Sequence, residues 1–151
     1  MNKSCILACL AGLFCSAGAL ANSNWLTIMG DPLDAGAGTI EIDPTSRAIQ
    51  GDRRSLLIRV SRPQERTSTD GVSFRSYLAG VEFDCIQRNA RFLSVDFYQQ
   101  SLWQGTPHKS MVYGSAQIRP LVFRFFEPNP LEKLLQAACF GSYAPGSIPG
   151  K

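Results

Sequence analysis

The chain has a single histidine, His108, and after its first 21 residues it keeps only two cysteines, Cys85 and Cys139. One imidazole with no thiolate near it in sequence makes neither a nucleophile and base pair nor a zinc ligand set. His108, in the loop 105–109, is therefore expected as an exposed loop residue, and no metal or cofactor is expected. A phosphate-wrapping loop needs a glycine before the lysine, which Lys109-Ser110 lacks, and Gly36-Ala37-Gly38 matches less well still. Beyond the N-terminal segment no stretch approaches about 20 uninterrupted apolar residues, so no transmembrane segment is expected. Charge is also scarce: without Lys3 the 15 basic residues become 14 against 12 acidic ones, a net charge of about +2. With Arg53-Arg54 as its only adjacent basic pair, the mature chain offers nucleic acid no polybasic run to grip.

What is present begins with a secretory signal. Lys3, the apolar run over residues 5–17 and the small-x-small step Ala19-Leu20-Ala21 supply its three parts, and cleavage is expected after Ala21. Neither Cys9 nor Cys15 suits lipid attachment, since Cys9 has too short an apolar core before it and Cys15 follows Phe14. One domain is expected over residues 22–140, followed by a disordered tail over 141–151 that is rich in Gly, Pro and Ser. In an oxidising compartment a lone pair of cysteines reads as one disulfide, Cys85 to Cys139.

Period-two alternation dominates the domain. Ile40 and Ile42 alternate with Thr39, Glu41 and Asp43, and Leu56, Ile58 and Val60 alternate with Leu57, Arg59 and Ser61. Over residues 72–87 the apolar parity changes between Phe74 and Val81, which predicts a β-bulge at Ala79-Gly80. A three-residue turn, Arg88-Asn89-Ala90, would lead into a strand over 91–99 and set Cys85 opposite Leu93, Phe83 opposite Val95 and Glu82 opposite Asp96. A further extended pair is expected over 111–117 and 118–126, with Leu121, Phe123 and Phe125 on one side. Residues 31–38 and 63–71 read as loops, and Arg53-Arg54 as a solvated turn.

The helix start has three parts: Asn129 as cap, Pro130 in the first helical position and Glu132 closing a capping box. Leu131, Leu134, Leu135 and Ala138 form its apolar stripe, with Cys139 on the same buried face. The fold class is α+β: an antiparallel β-sheet of four to six strands with one C-terminal helix packed on it and tethered by the disulfide.

A Trp25 strand, the step Ile42-Asp43-Pro44, Phe74-Arg75-Ser76, Phe83-Asp84-Cys85 with basic residues after it, and a Leu-rich helix ending in Cys139 together resemble the surface-adhesin protein E family. The resemblance covers roughly residues 24–140. It implies a small exported bacterial domain whose antiparallel sheet carries a C-terminal helix on its concave side, tied by a disulfide at Cys85 and Cys139. It also implies an adhesive role, since the founding type binds host extracellular-matrix and serum proteins. Where the family has Pro-Gly-Ser after a tryptophan strand, this chain has Pro128-Asn129-Pro130 after Phe125-Phe126.

Arg88 and Arg91 flank the expected turn, and Tyr98 and Trp103 lie on or just after the second strand; these residue types anchor protein interfaces. Trp103 could equally plug a sheet edge. Glu82, Asp84 and Asp96 would form a carboxylate cluster able to raise one pKa and act on glycosides, unless Arg75, Arg88 or Arg91 balances them. The expected function is a non-catalytic binding module, periplasmic or at the cell surface, for host or envelope proteins. The alternatives are a periplasmic protein that binds a small ligand such as haem in the concave groove beside the helix, and, third, a carboxylate-dependent hydrolase. Dimerisation is left open.

Overall fold

The computed structural model describes residues 24–140. The signal expected over 1–21 and the tail expected over 141–151 lie outside the described residues.

Six strands pair antiparallel in chain order, β1 (Leu26–Met29), β2 (Thr39–Gln50), β3 (Arg53–Thr67), β4 (Ser73–Asp84), β5 (Asn89–Tyr98) and β6 (Lys109–Val112), and α1 (Leu131–Phe140) follows them. Such a meander needs only short connections, which suits a chain whose periodicity is almost entirely two. Ile40, Ile42, Leu56, Ile58, Val60, Ala79, Val81 and Phe83 share one face and are buried there. The helix seals part of that face with Leu134, Leu135 and Ala138. Asn129 Oδ1 accepts the Leu131 amide at 3.0 Å, as a cap should. Glu132 does not close the box; it accepts from Arg88, so helix and turn are joined by an ion pair as well as by the Cys85–Cys139 disulfide.

Several sequence expectations are corrected here. The β4–β5 turn is the four residues 85–88, three positions earlier than the loop expected at Arg88-Asn89-Ala90, and Arg88 takes a left-handed φ of 52° to close it. Asp84 drives the shift: its Oδ1 accepts the amides of Ile86 at 3.1 Å and Gln87 at 2.8 Å, a turn that competes with continuing the strand. Phe83 consequently pairs with Ala90 and Glu82 with Arg91, and Cys85 lies beyond the ladder, its amide bonded to the Asp52 carbonyl at 3.0 Å.

The bulge is real but belongs to the opposite strand. The register steps from Val81↔Phe92 to Gly80↔Ser94, leaving Leu93 as the extra residue on β5. Gly80 stands beside it, opposite Ser94, and a Cβ there would sit 2.9 Å from Ser94 Oγ, so that hydroxyl would have to turn away.

Residues 63–71 are only partly loop. β3 continues to Thr67 through a register break between Ser61 and Arg66, and the break accommodates Pro63, which has no amide to give the ladder. Arg53-Arg54 opens β3 rather than forming a turn, the turn being Gly51-Asp52. The strand expected over 118–126 is reduced to a bridge, Arg91↔Pro120, flanked by hydrogen bonds from Phe92 to Arg119 and from Leu121 to Ala90, both 2.8 Å. Leu121 and Phe123 share a side, which is buried, but Phe125, expected with them, adopts a φ of 63° and is exposed, and Phe126 is buried in its place.

Candidate functional site

On the sheet face away from α1 the alternation that buries Ile40 and Ile58 brings Glu41 and Arg59 side by side, because they are register partners. The Glu41 carboxylate is almost fully buried and accepts from Arg59 Nε at 2.6 Å. The Arg59 guanidinium lies between two indoles, 4.4 Å from the Trp25 ring and 4.1 Å from the Trp103 ring. A planar cation between two π faces is favourable on both sides, and its low hydration makes the burial cheap.

Trp103 reaches this position through a short 3-10 turn, Ser101–Trp103, in which Leu102 and Trp103 have left-handed φ values of 53° and 57°. Side chains over-determine that backbone. Ser61 Oγ accepts the Leu102 amide at 2.9 Å, Ser76 Oγ accepts the Trp103 amide at 3.0 Å and donates to the Gln100 carbonyl at 2.6 Å, and the Trp103 indole donates to the Tyr77 carbonyl at 3.0 Å. Ser61 and Ser76 are fully buried for this purpose. Both tryptophans remain half-buried, so their outer edges stay accessible.

Of the four residues expected to bind, Tyr98 and Trp103 are brought near each other through Ser76, the register partner of Tyr98. Burial, and then the Asp96 carboxylate, push the Tyr98 phenol pKa up. Arg91 shares their face but lies seven residues along β5 from Tyr98, roughly 20 Å away. Arg88 turns toward the helix and pairs with Glu132. Trp25, Arg59 and Glu41 complete the cluster and were missed, because strand parity says which face a residue takes but not which residues meet there.

The carboxylate cluster does not assemble. Asp96 pairs with Leu78, four residues along β4 from Glu82 and so about 13 Å from it. Glu82 is instead neutralised by Arg91 at 2.8 Å and Arg53 at 3.2 Å, and Asp84 lies 3.8 Å from Arg53. Arg75, offered as a counter-charge, bonds the Pro63 carbonyl at 2.7 Å. His108 is exposed, its amide bonded to the Phe97 carbonyl at 2.9 Å.

The sheet face that carries the core holds a groove of about 380 Å³ that α1 does not line; the wall expected from the helix comes from residues 119–125. Its floor is Phe74, Tyr77, Phe92, Val95 and Phe97, with aromatic centroids 5.3 to 6.3 Å apart in tilted and edge-on pairs. Arg62, Arg66, Arg119 and Arg124 also line it, with Asp70 as the one acid. Asp70 accepts from the Tyr113 hydroxyl at 2.7 Å and from Arg119 at 2.8 Å.

These two bonds, the tyrosine's first, hold the Asp70 carboxyl below its ordinary 3.8. A depressed carboxylate pKa stabilises the fold above the unfolded value, and the contribution is lost as pH falls through the lower folded one. The stability gap between the wild type and Tyr113→Phe is therefore expected to be wide at pH 7 and to narrow by pH 3. Urea denaturation at the two pH values measures it, and a gap that does not change would contradict the assignment.

Among the described residues no helix is long and apolar enough to cross a membrane. No curated protein and no solved structure matches the chain. The family described as surface-adhesin protein E matches residues 25–140, a span that opens on Trp25 of the indole pair and closes one residue beyond Cys139 of the disulfide. Since the match takes in every strand, the helix and both candidate surfaces, the chain belongs to the surface-adhesin protein E family.

Proposed function

We propose that this protein acts without catalysis as an exported protein-binding module, meeting a host matrix or bacterial envelope protein with the helix-free sheet face around Trp25, Arg59 and Trp103. The stack of one guanidinium between two indoles, braced by Glu41, carries this reading. Trp and Arg dominate the energetic centres of interfaces, being large, amphipathic and able to stack. Here they are held in place before any partner arrives, so little side-chain entropy is lost on binding.

Family membership supports an adhesin-like surface protein. Residues 1–21 would supply export, and the Cys85–Cys139 bond suits the oxidising compartment beyond the inner membrane. Tyr98 extends the surface next to Trp103, while Arg91 and Arg88 are outlying contacts. The separation of Glu82 from Asp96, and the two arginines on Glu82, favour binding over hydrolysis.

Binding of the mature protein to immobilised matrix and serum glycoproteins, and to purified envelope proteins, tests the reading. Trp103→Ala and Trp25→Ala are each expected to weaken capture by about 30-fold, the effect of losing a central anchor worth ~2 kcal/mol. Arg88→Ala should change it less than about threefold, as a rim charge does. Wild-type capture by both tryptophan variants, with wild-type melting, would refute the proposal.

A further inference from the structure

We propose that the concave groove is a second binding site, independent of the sheet face, for a free single-chain amphiphile with a carboxylate head, of the fatty-acid type. Its volume of about 380 Å³ lies within the range of small-molecule sites. The aromatic floor offers an acyl chain a surface already shaped by edge-on packing, with Phe74, Tyr77 and Phe97 at its centre.

Charge selects the head. Of the four arginines lining the groove only Arg119 has a carboxylate partner among the described residues; the other three have no acidic counter-charge, Arg62 being stacked at 3.7 Å on the Phe126 ring instead. Arg62 is 8% exposed and holds the Arg124 carbonyl at 2.9 Å, yet its Nε has no acceptor; Nε of Arg66 is likewise buried without one. Buried guanidinium N–H groups left unbonded are costly, and an anion seated beside them would satisfy them with charge-assisted bonds.

The mouth adds a third observation. Phe125 has a left-handed φ of 63°, an unfavourable backbone for an aromatic residue, and this turns its ring outward to 76% exposure with Arg66 4.9 Å from the ring centre. Strain of this kind is found at ligand clamps. A neutral chain would leave the guanidinium groups unanswered, and a short anion would leave the floor wet. The apolar residues lie in a concavity, which suits a monomeric ligand rather than a flat bilayer.

Calorimetric titration of the mature protein with dodecanoate below its micelle concentration tests the site. One dodecanoate per chain is expected, with dodecanol and butyrate each at least about tenfold weaker. Arg66→Gln should weaken dodecanoate about tenfold and leave dodecanol unchanged, and Val122→Trp should fill the groove and abolish both. Melting curves of both variants confirm that the fold is intact. No response to dodecanoate, equal affinity for dodecanol, an unaffected Arg66→Gln protein, or retention only on phosphatidylglycerol vesicles would each overturn the proposal. Trp103→Ala should bind dodecanoate as the wild type does, so this site and the sheet face stand or fall separately.

Discussion

Replacing Cys85 or Cys139 by serine is expected to cost about 4 kcal/mol of stability and to lower the melting temperature by roughly 15–20 °C. The bond joins residues 54 apart in sequence, and most of its effect lies in the unfolded chain, whose ends it keeps together. α1 has ten residues, too few to be stable alone in water, and its buried stripe is Leu134, Leu135 and Ala138. That stripe, with Leu131 and Ala137 packed beside it, and the disulfide therefore hold it, since the Arg88–Glu132 pair is exposed on both sides and contributes little. The double variant Cys85→Ser/Cys139→Ser should melt with the single ones. Unchanged melting of Cys85→Ser would show that the helix is held by packing alone.

Arg59→Met is expected to destabilise the domain by about 3 kcal/mol, the cost of leaving a buried carboxylate without its counter-charge. Glu41 is 2% exposed, and among the described residues its carboxylate has one other hydrogen-bond partner, the Thr27 hydroxyl at 3.4 Å. The methionine would also lack the cation that both indoles face. Adding Glu41→Leu should recover most of the loss, because a well-packed apolar pair often replaces a buried ion pair without penalty. The recovered double variant is expected to fold without binding, separating the scaffold from its surface. Chemical denaturation of the three variants measures the cycle, and full stability in Arg59→Met alone would refute the buried pairing.

How much of this was legible depended on the physics behind each element. The inner faces of β2 and β3 were visible because Ile40, Ile42, Leu56, Ile58 and Val60 are buried on one side only, and strict alternation admits one reading. The helix was visible through Asn129, Pro130 and its leucines. The β4–β5 turn was misplaced because Asp84 was read as a strand residue, although an Asp that can bond the amides two and three positions on is itself a turn signal. That slip of register created the apparent Glu82–Asp96 pair.

Phe125 was placed on the side of Leu121 and Phe123 because alternation cannot anticipate a left-handed residue, which sends two successive side chains to unexpected sides. Trp103 was singled out by type, but its partners Arg59 and Trp25 are 44 and 78 positions away in the chain and meet it only through the β1–β2–β3 register and a turn held by two buried serines. Of the groove's arginines, Arg66 fell in what read as a loop over 63–71, and Arg119 and Arg124 fell in an expected strand over 118–126, so nothing in the sequence brought them together with Arg62.

The central claim is that partners are met by the sheet face that carries the indole pair. The chain has two tryptophans and both belong to that pair, so 5-fluorotryptophan labelling gives two fluorine resonances that report on this surface alone. Titration with a captured matrix or envelope protein is predicted to shift or broaden both resonances in step with binding, while dodecanoate leaves them unmoved. Saturating capture of the partner with both resonances unchanged would contradict the claim.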